Sequence, residues 1–86
     1  MSAYTVRLAK HVGKQVEGLP ERVQGRVVAA LLAIRAKPTL GTKLRGQFEG
    51  SRRYRVGNYR IVYQVIEAEY LIAIENIRHR SRAYRR

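Results

Sequence analysis

The spacing of apolar residues predicts an α+β fold in the order β-α-α-β-β-β, with a helical hairpin packed on one face of a four-stranded antiparallel sheet. Three features of the 86-residue chain carry that expectation. Apolar residues recur at helical spacing as far as Pro38, and at every second position from Lys43 onward. Gly18-Leu19-Pro20 and Pro38 interrupt the helical stretch, and Gly57-Asn58 is a two-residue turn of the kind that closes β-hairpins. Helices grouped before strands, rather than alternating with them, imply two segregated layers. The length fits one domain spanning residues 1–86.

Taken in order, Tyr4, Thr5, Val6, Arg7 and Leu8 alternate as a half-buried strand does. Leu8, Val12, Val16 and Leu19 follow helical spacing, which predicts a short helix over about residues 9–18. Pro20 and Glu21 suit the first turn of a second helix, which carries Val23, Val27, Leu31 and Ile34 on one face and ends before Pro38. These aliphatic stripes are core rather than a cofactor groove. Residues 52–56, 59–66 and 70–77, rich in Tyr, Val and Ile, read as three strands, the last two joined by Glu67-Ala68-Glu69.

Composition removes several classes of function. With no cysteine there is no disulfide framework, thiol catalysis or thiolate metal site. His11 and His79 stand far apart and the chain has no Asp, so neither a metal nor another cofactor is expected. The longest apolar run, Val27 to Ile34, falls well short of the roughly 20 residues that cross a bilayer. No signal pattern opens the chain, and a soluble cytoplasmic protein with no membrane partner is expected.

Charge is more informative. Eighteen Lys and Arg against six Glu give +12, and fourteen of the eighteen are arginine. An arginine excess favours planar, bidentate contact with phosphate or carboxylate. A hairpin closed by Gly57-Asn58 sets Arg55 opposite Arg60, with Arg53 on the same side. Like charges placed across a sheet destabilise it, so three arginines on one face are poor structural choices unless an anion sits there. A three-residue turn at 67–69 brings Arg60 near Asn76 and continues the face through Arg78 and Arg80. Guanidinium groups with tyrosine nearby suit RNA, holding phosphates and stacking on unpaired bases.

Lys43-Leu44-Arg45-Gly46, then Arg53-Tyr54-Arg55-Val56-Gly57-Asn58-Tyr59-Arg60-Ile61-Val62-Tyr63, then His79-Arg80 and Tyr84, resemble the RelE/ParE toxin superfamily over essentially the whole chain. The resemblance implies a RelE-like, microbial RNase-like fold and the toxin of a type II toxin–antitoxin system. It further implies a ribosome-dependent, metal-independent endoribonuclease that cuts mRNA in the decoding site. There the 2′-hydroxyl attacks the adjacent phosphate, giving a 2′,3′-cyclic phosphate.

The family's catalytic positions match Arg53, Arg55, Arg60, Arg80 and Tyr84. On this resemblance Arg60 and Arg80 stabilise the phosphorane, Arg53 and Arg55 orient the scissile phosphate, and Tyr84 stacks on a base or hydrogen-bonds the nucleophile. Lys43, Arg45, Arg52, Arg78 and Arg82 are expected to bind RNA around them. His79 is the one conventional acid–base candidate, although alternation turns it away from Arg80. Some relatives carry lysine where this chain has Arg53 and Arg55, and arginine accepts protons poorly, which leaves the general base open.

The implied partners are an acidic, RelB-like antitoxin, mRNA, and the A site of the 70S ribosome, with operator DNA reached only through the antitoxin. Two alternatives stand beside this reading: a ParE-like DNA gyrase poison, and a nucleic-acid-binding module without catalysis.

Overall fold

The structure, a computed structural model, describes residues 4–79. Within them β1 (Thr5–Leu8) leads into α1 (Lys10–Glu17) and α2 (Glu21–Ala36), followed by β2 (Thr42–Lys43), β3 (Arg52–Val56), β4 (Tyr59–Ile66) and β5 (Leu71–His79). The helical breaks fall where Pro20 and Pro38 place them. Gln24 ties the two helices together by donating its side-chain amide to the carbonyls of Val16, Glu17 and Leu19. Those carbonyls lie at and just past the end of α1, where helical donors run out; Val16 also accepts from the Leu19 N–H, and Gln24 supplies the donor that the turn otherwise lacks.

The sheet differs from the expected four antiparallel strands. It has five, in the order β1-β5-β4-β3-β2, and β1 runs parallel to β5, pairing Thr5 with Leu71 through Leu8 with Ile74. Alternation reports which face a residue takes but not the direction of its neighbour. Because β1 and β5 are joined by no tight turn, nothing forces them antiparallel. The fifth strand, β2, is two residues long and has no readable period.

Val12, Val27, Ala30 and Ile34 from the helices pack on Ile61, Tyr63, Ile72, Ile74 and Ile77 of the sheet. Leu8 is not part of the helical stripe that its spacing suggests. It closes β1 and remains partly exposed.

Ile74 and Ile77 are both buried although three positions apart, which strict alternation forbids. The register of β4 against β5 slips between Val62 and Tyr63: Tyr63 pairs with Ile74, and Val62 with Asn76. Glu75 is therefore the extra residue of a β-bulge. Past Ile74, β5 has no strand on its outer side among the described residues, because β1 ends at Leu8. Side chains of α1 serve that edge instead. Gln15 Oε1 accepts from the Ile77 N–H at 3.0 Å, and His11 Nε2 lies 2.9 Å from the Glu75 carbonyl. The bulge and its helical clamp thereby aim Ile77 inward and Arg78 outward.

Candidate active site

Arg55 pairs with Arg60 across the β3–β4 hairpin, and Arg60 pairs with Arg78 across β4–β5. Directly paired residues point to the same side of a sheet. Ile61 and Tyr63, the neighbours in β4, are fully buried against the helices, so the three arginines form a row across the opposite face. Arg53, paired with Val62, extends it by one step along β3. Arg55 and Arg78 are exposed, whereas Arg53 and Arg60 are half-buried.

Arg60 and Arg78 border a groove of about 460 Å³ whose other walls include Asn76, Gln64, Ser51 and Glu75. Asn76 Oδ1 lies 3.4 Å from both Arg78 Nε and Gln15 Nε2, so one amide links the arginine row to α1. At the groove's other end the nearly buried Ser51 hydroxyl donates to Glu75 Oε1 at 2.8 Å. That bond holds one of the groove's two carboxylates, the other being Glu49. Ser51 and Glu75 were not legible as site residues, whereas the expected register already set Asn76 on the face of Arg60. Glu75 reaches this groove as the extra residue of the bulge, and a single inserted residue leaves no sequence signature.

Not every expected residue joins the row. Arg52 pairs with Tyr63 and so takes the helix-side face. Its guanidinium donates to the carbonyls of Gly41 at 2.7 Å and Thr39 at 3.3 Å. It pins the turn before β2 and stands off the arginine row. Lys43, opposite Arg52, shares that side at the sheet edge. With the exposed Arg45 it lines a second groove of about 880 Å³, separate from the row.

His79 pairs with Tyr59 on the helix side, their rings edge to face with centroids 5.2 Å apart. It therefore faces away from Arg60 and Arg78, and the acid–base role expected of it has no geometric support on the row. Arg80, Arg82 and Tyr84 lie outside the described residues. Among the described residues no group of three His, Cys, Asp or Glu side chains could hold a metal.

The turn before β2 encloses the buried Tyr63 hydroxyl, which is bonded on both sides. Tyr63 Oη donates to the Pro38 carbonyl and accepts from the Gly41 N–H, both at 2.8 Å. Burial pushes its phenol pKa above the ordinary 10.0, against the lowering pull of the Gly41 bond and of Arg52.

The family model of the ParE toxin of type II toxin–antitoxin systems matches residues 4–84, nearly the whole chain. The chain belongs to this toxin family. The toxin is also 29% identical to Toxin RelE of Mycobacterium tuberculosis over 84 residues, covering 95% of this chain and 87% of that one. Toxin RelG of the same organism is 29% identical over 85 residues, covering 96% and 98%.

Among solved structures, the toxin–antitoxin complex RelBE2 from Mycobacterium tuberculosis superposes with a TM-score of 0.83 at 28% identity, covering 90% of the toxin and 98% of that chain. The archaeal RelE–RelB complex from Pyrococcus horikoshii gives 0.79 at 28%, covering 93% and 98%. Isolated E. coli RelE, at 22% identity and a TM-score of 0.82 over 95% and 89% of the two chains, shares the fold. These likenesses bear out the α+β architecture and the superfamily read from the sequence. No helix among the described residues is long and apolar enough to cross a membrane.

Proposed function

We propose that the toxin is a metal-independent endoribonuclease that cleaves mRNA in the ribosomal A site. The row Arg55–Arg60–Arg78 is the observation that carries this reading. In the reaction the 2′-hydroxyl gives up its proton to solvent as its oxygen bonds to the adjacent phosphorus, and the P–O5′ bond breaks. The departing 5′-oxygen takes a proton, leaving a 2′,3′-cyclic phosphate and a 5′-hydroxyl. The phosphorane gains negative charge as it forms, and guanidinium groups that strand pairing gathers on one face stabilise it. Arg60, flanked on both sides, supports the phosphorane, and Arg53 and Arg55 hold the scissile phosphate. Arg80 and Tyr84 complete the site by the family pattern.

The partner that restrains it is an acidic, RelB-like antitoxin. A charge of +12 on 86 residues calls for a polyanion, and several solved relatives are toxins complexed with RelB. The antitoxin also provides the link to operator DNA.

One observation favours a second reading: the matching family model is that of ParE, which suggests a DNA gyrase poison. The two separate cleanly. Purified ribosomes carrying a 5′-labelled message should yield cut RNA ending in a cyclic phosphate, and gyrase supercoiling should proceed unimpaired. Intact message together with blocked supercoiling would replace the nuclease reading with the gyrase one.

A further inference from the structure

On the other face of the same hairpin, α2 carries two arginines whose positions make no structural sense on their own. Arg22 is the second residue of α2, where the helix dipole disfavours a cation. Arg26 lies one turn on, and like charges four apart destabilise a helix. The remaining positions three and four away from either arginine are Gly18, Leu19, Val23, Gly25, Ala29 and Ala30. None offers a carboxylate, and no ion pair with another described residue compensates. Both arginines are exposed.

They converge on a shallow groove of about 480 Å³ between α2 and the hairpin tip, closed by Gly57, Asn58, Tyr59 and His79. No lining residue is acidic. Arg26 lies against the turn, since a Cβ built on Gly57 would stand 3.4 Å from its guanidinium. At that residue φ is +58°, so glycine is favoured there as well by the backbone. The Tyr59–His79 ring pair sits beside the cations.

We infer that Arg22 and Arg26 form a second RNA-binding site, which grips backbone phosphates of an RNA segment other than the one on the Arg55–Arg60–Arg78 row. Guanidinium groups next to an aromatic and imidazole pair match a sugar–phosphate backbone with an unpaired base. An antitoxin helix would need apolar anchors, and this groove offers only Val23, Val56 and the face of Tyr59, with no Leu, Ile, Met or Phe. Such anchors lie elsewhere, at the exposed Leu8, Val28 and Leu32 beside β1. The hairpin tip is thus cationic on both faces and wedges between two strands of RNA. The inference deepens the A-site reading and rests on it: the message lies on one face and ribosomal RNA on the other. The second site docks the toxin and takes no part in the chemistry.

The test uses the full chain, as parent and as the double variant Arg22→Gln/Arg26→Gln, with purified 70S ribosomes programmed with a short mRNA. The double variant should melt no lower than the parent, because it sheds a like-charge pair. It should need on the order of tenfold more ribosomes for half-maximal cleavage, with the rate at saturation unchanged. Removing two phosphate contacts should also flatten the log–log salt dependence of binding by about 1.4 to 1.8.

Unchanged half-saturation and salt slope would overturn the inference. So would a fall in the saturated rate alone, which would place the arginines in the chemistry. Loss of antitoxin affinity with RNA affinity intact would overturn it in favour of a protein contact. If the parent neither cuts message nor binds ribosomes, the nuclease reading fails by itself. The site is then judged on a short single-stranded RNA oligomer by fluorescence anisotropy: weaker, less salt-dependent binding by the double variant sustains it, and equal binding overturns it.

Discussion

Arg55→Thr should make the toxin more stable and less active at once. Arg55 is exposed and pairs directly with Arg60, so the substitution removes one like-charge pair from the row. Two unit charges at roughly 7 Å repel by about 0.6 kcal/mol in water and about four times that at an effective dielectric of 20. The exposed side of Arg55 keeps the real value near the lower figure, within the roughly 0.2–1 kcal/mol found for cross-strand pairs. Threonine also suits a strand better than most polar residues. The expected gain is about 0.5 kcal/mol, or roughly 2–4 °C in melting temperature for a domain of this size. Urea titrations at low and at about 1 M salt check the cause, because screening over some 3 Å at high salt removes the repulsion and should shrink the gain. Cleavage should fall by on the order of 100-fold if Arg55 contacts the reacting phosphate. A variant less stable than its parent at low salt, or a gain that grows with salt, would refute the view that the row is held against its own repulsion.

Other consequences concern the turn that anchors β2. Tyr63→Phe strands the Gly41 N–H and the Pro38 carbonyl, and should cost about 2–4 kcal/mol, read from urea midpoints at constant slope. Because burial raises the Tyr63 pKa in the folded state, the native protein keeps a proton that the unfolded chain releases. Stability is therefore full below pH 10 and declines as pH climbs above it, and Tyr63→Phe should flatten that decline; thermal melts at about pH 8 and about pH 10.5 compare the two. Gly41→Ala would set a Cβ 2.7 Å from Tyr63 Oη and 2.8 Å from the Arg53 carbonyl, and should cost about 1–3 kcal/mol by calorimetry.

How far the sequence could be read depended on which physical signal each element left. The β3–β4 hairpin was legible to the residue, because Gly57-Asn58 fixes the register and every partner follows from it. The β4–β5 register was not: Arg60 faces Arg78 rather than Asn76. Two displacements of one residue produce the difference. The turn consumes Tyr70, which takes the left-handed conformation at φ 49°, and the bulge at Glu75 adds the second. Their sum is even, so Arg78 keeps the expected face although its partner was misread. His79, by the same parity, faces the helices. The direction of β1 and the existence of β2 left no periodic trace. Arg52 shows the limit of reading charge alone, since its guanidinium also serves the backbone carbonyls of Thr39 and Gly41.

The central claim, that the arginine face cleaves RNA on the ribosome, is tested most directly by Arg60→Ala. Arg60 stands in the middle of the row, half-buried and flanked by Arg55 and Arg78. Purified ribosomes carrying an end-labelled message would be mixed with parent or variant toxin at equal folded concentration, verified by melting. The account predicts cleavage to a 2′,3′-cyclic phosphate by the parent, and a rate lower by on the order of 100-fold or more in the variant. Parental cleavage by a folded Arg60→Ala variant, or no cleavage by the parent, would contradict it.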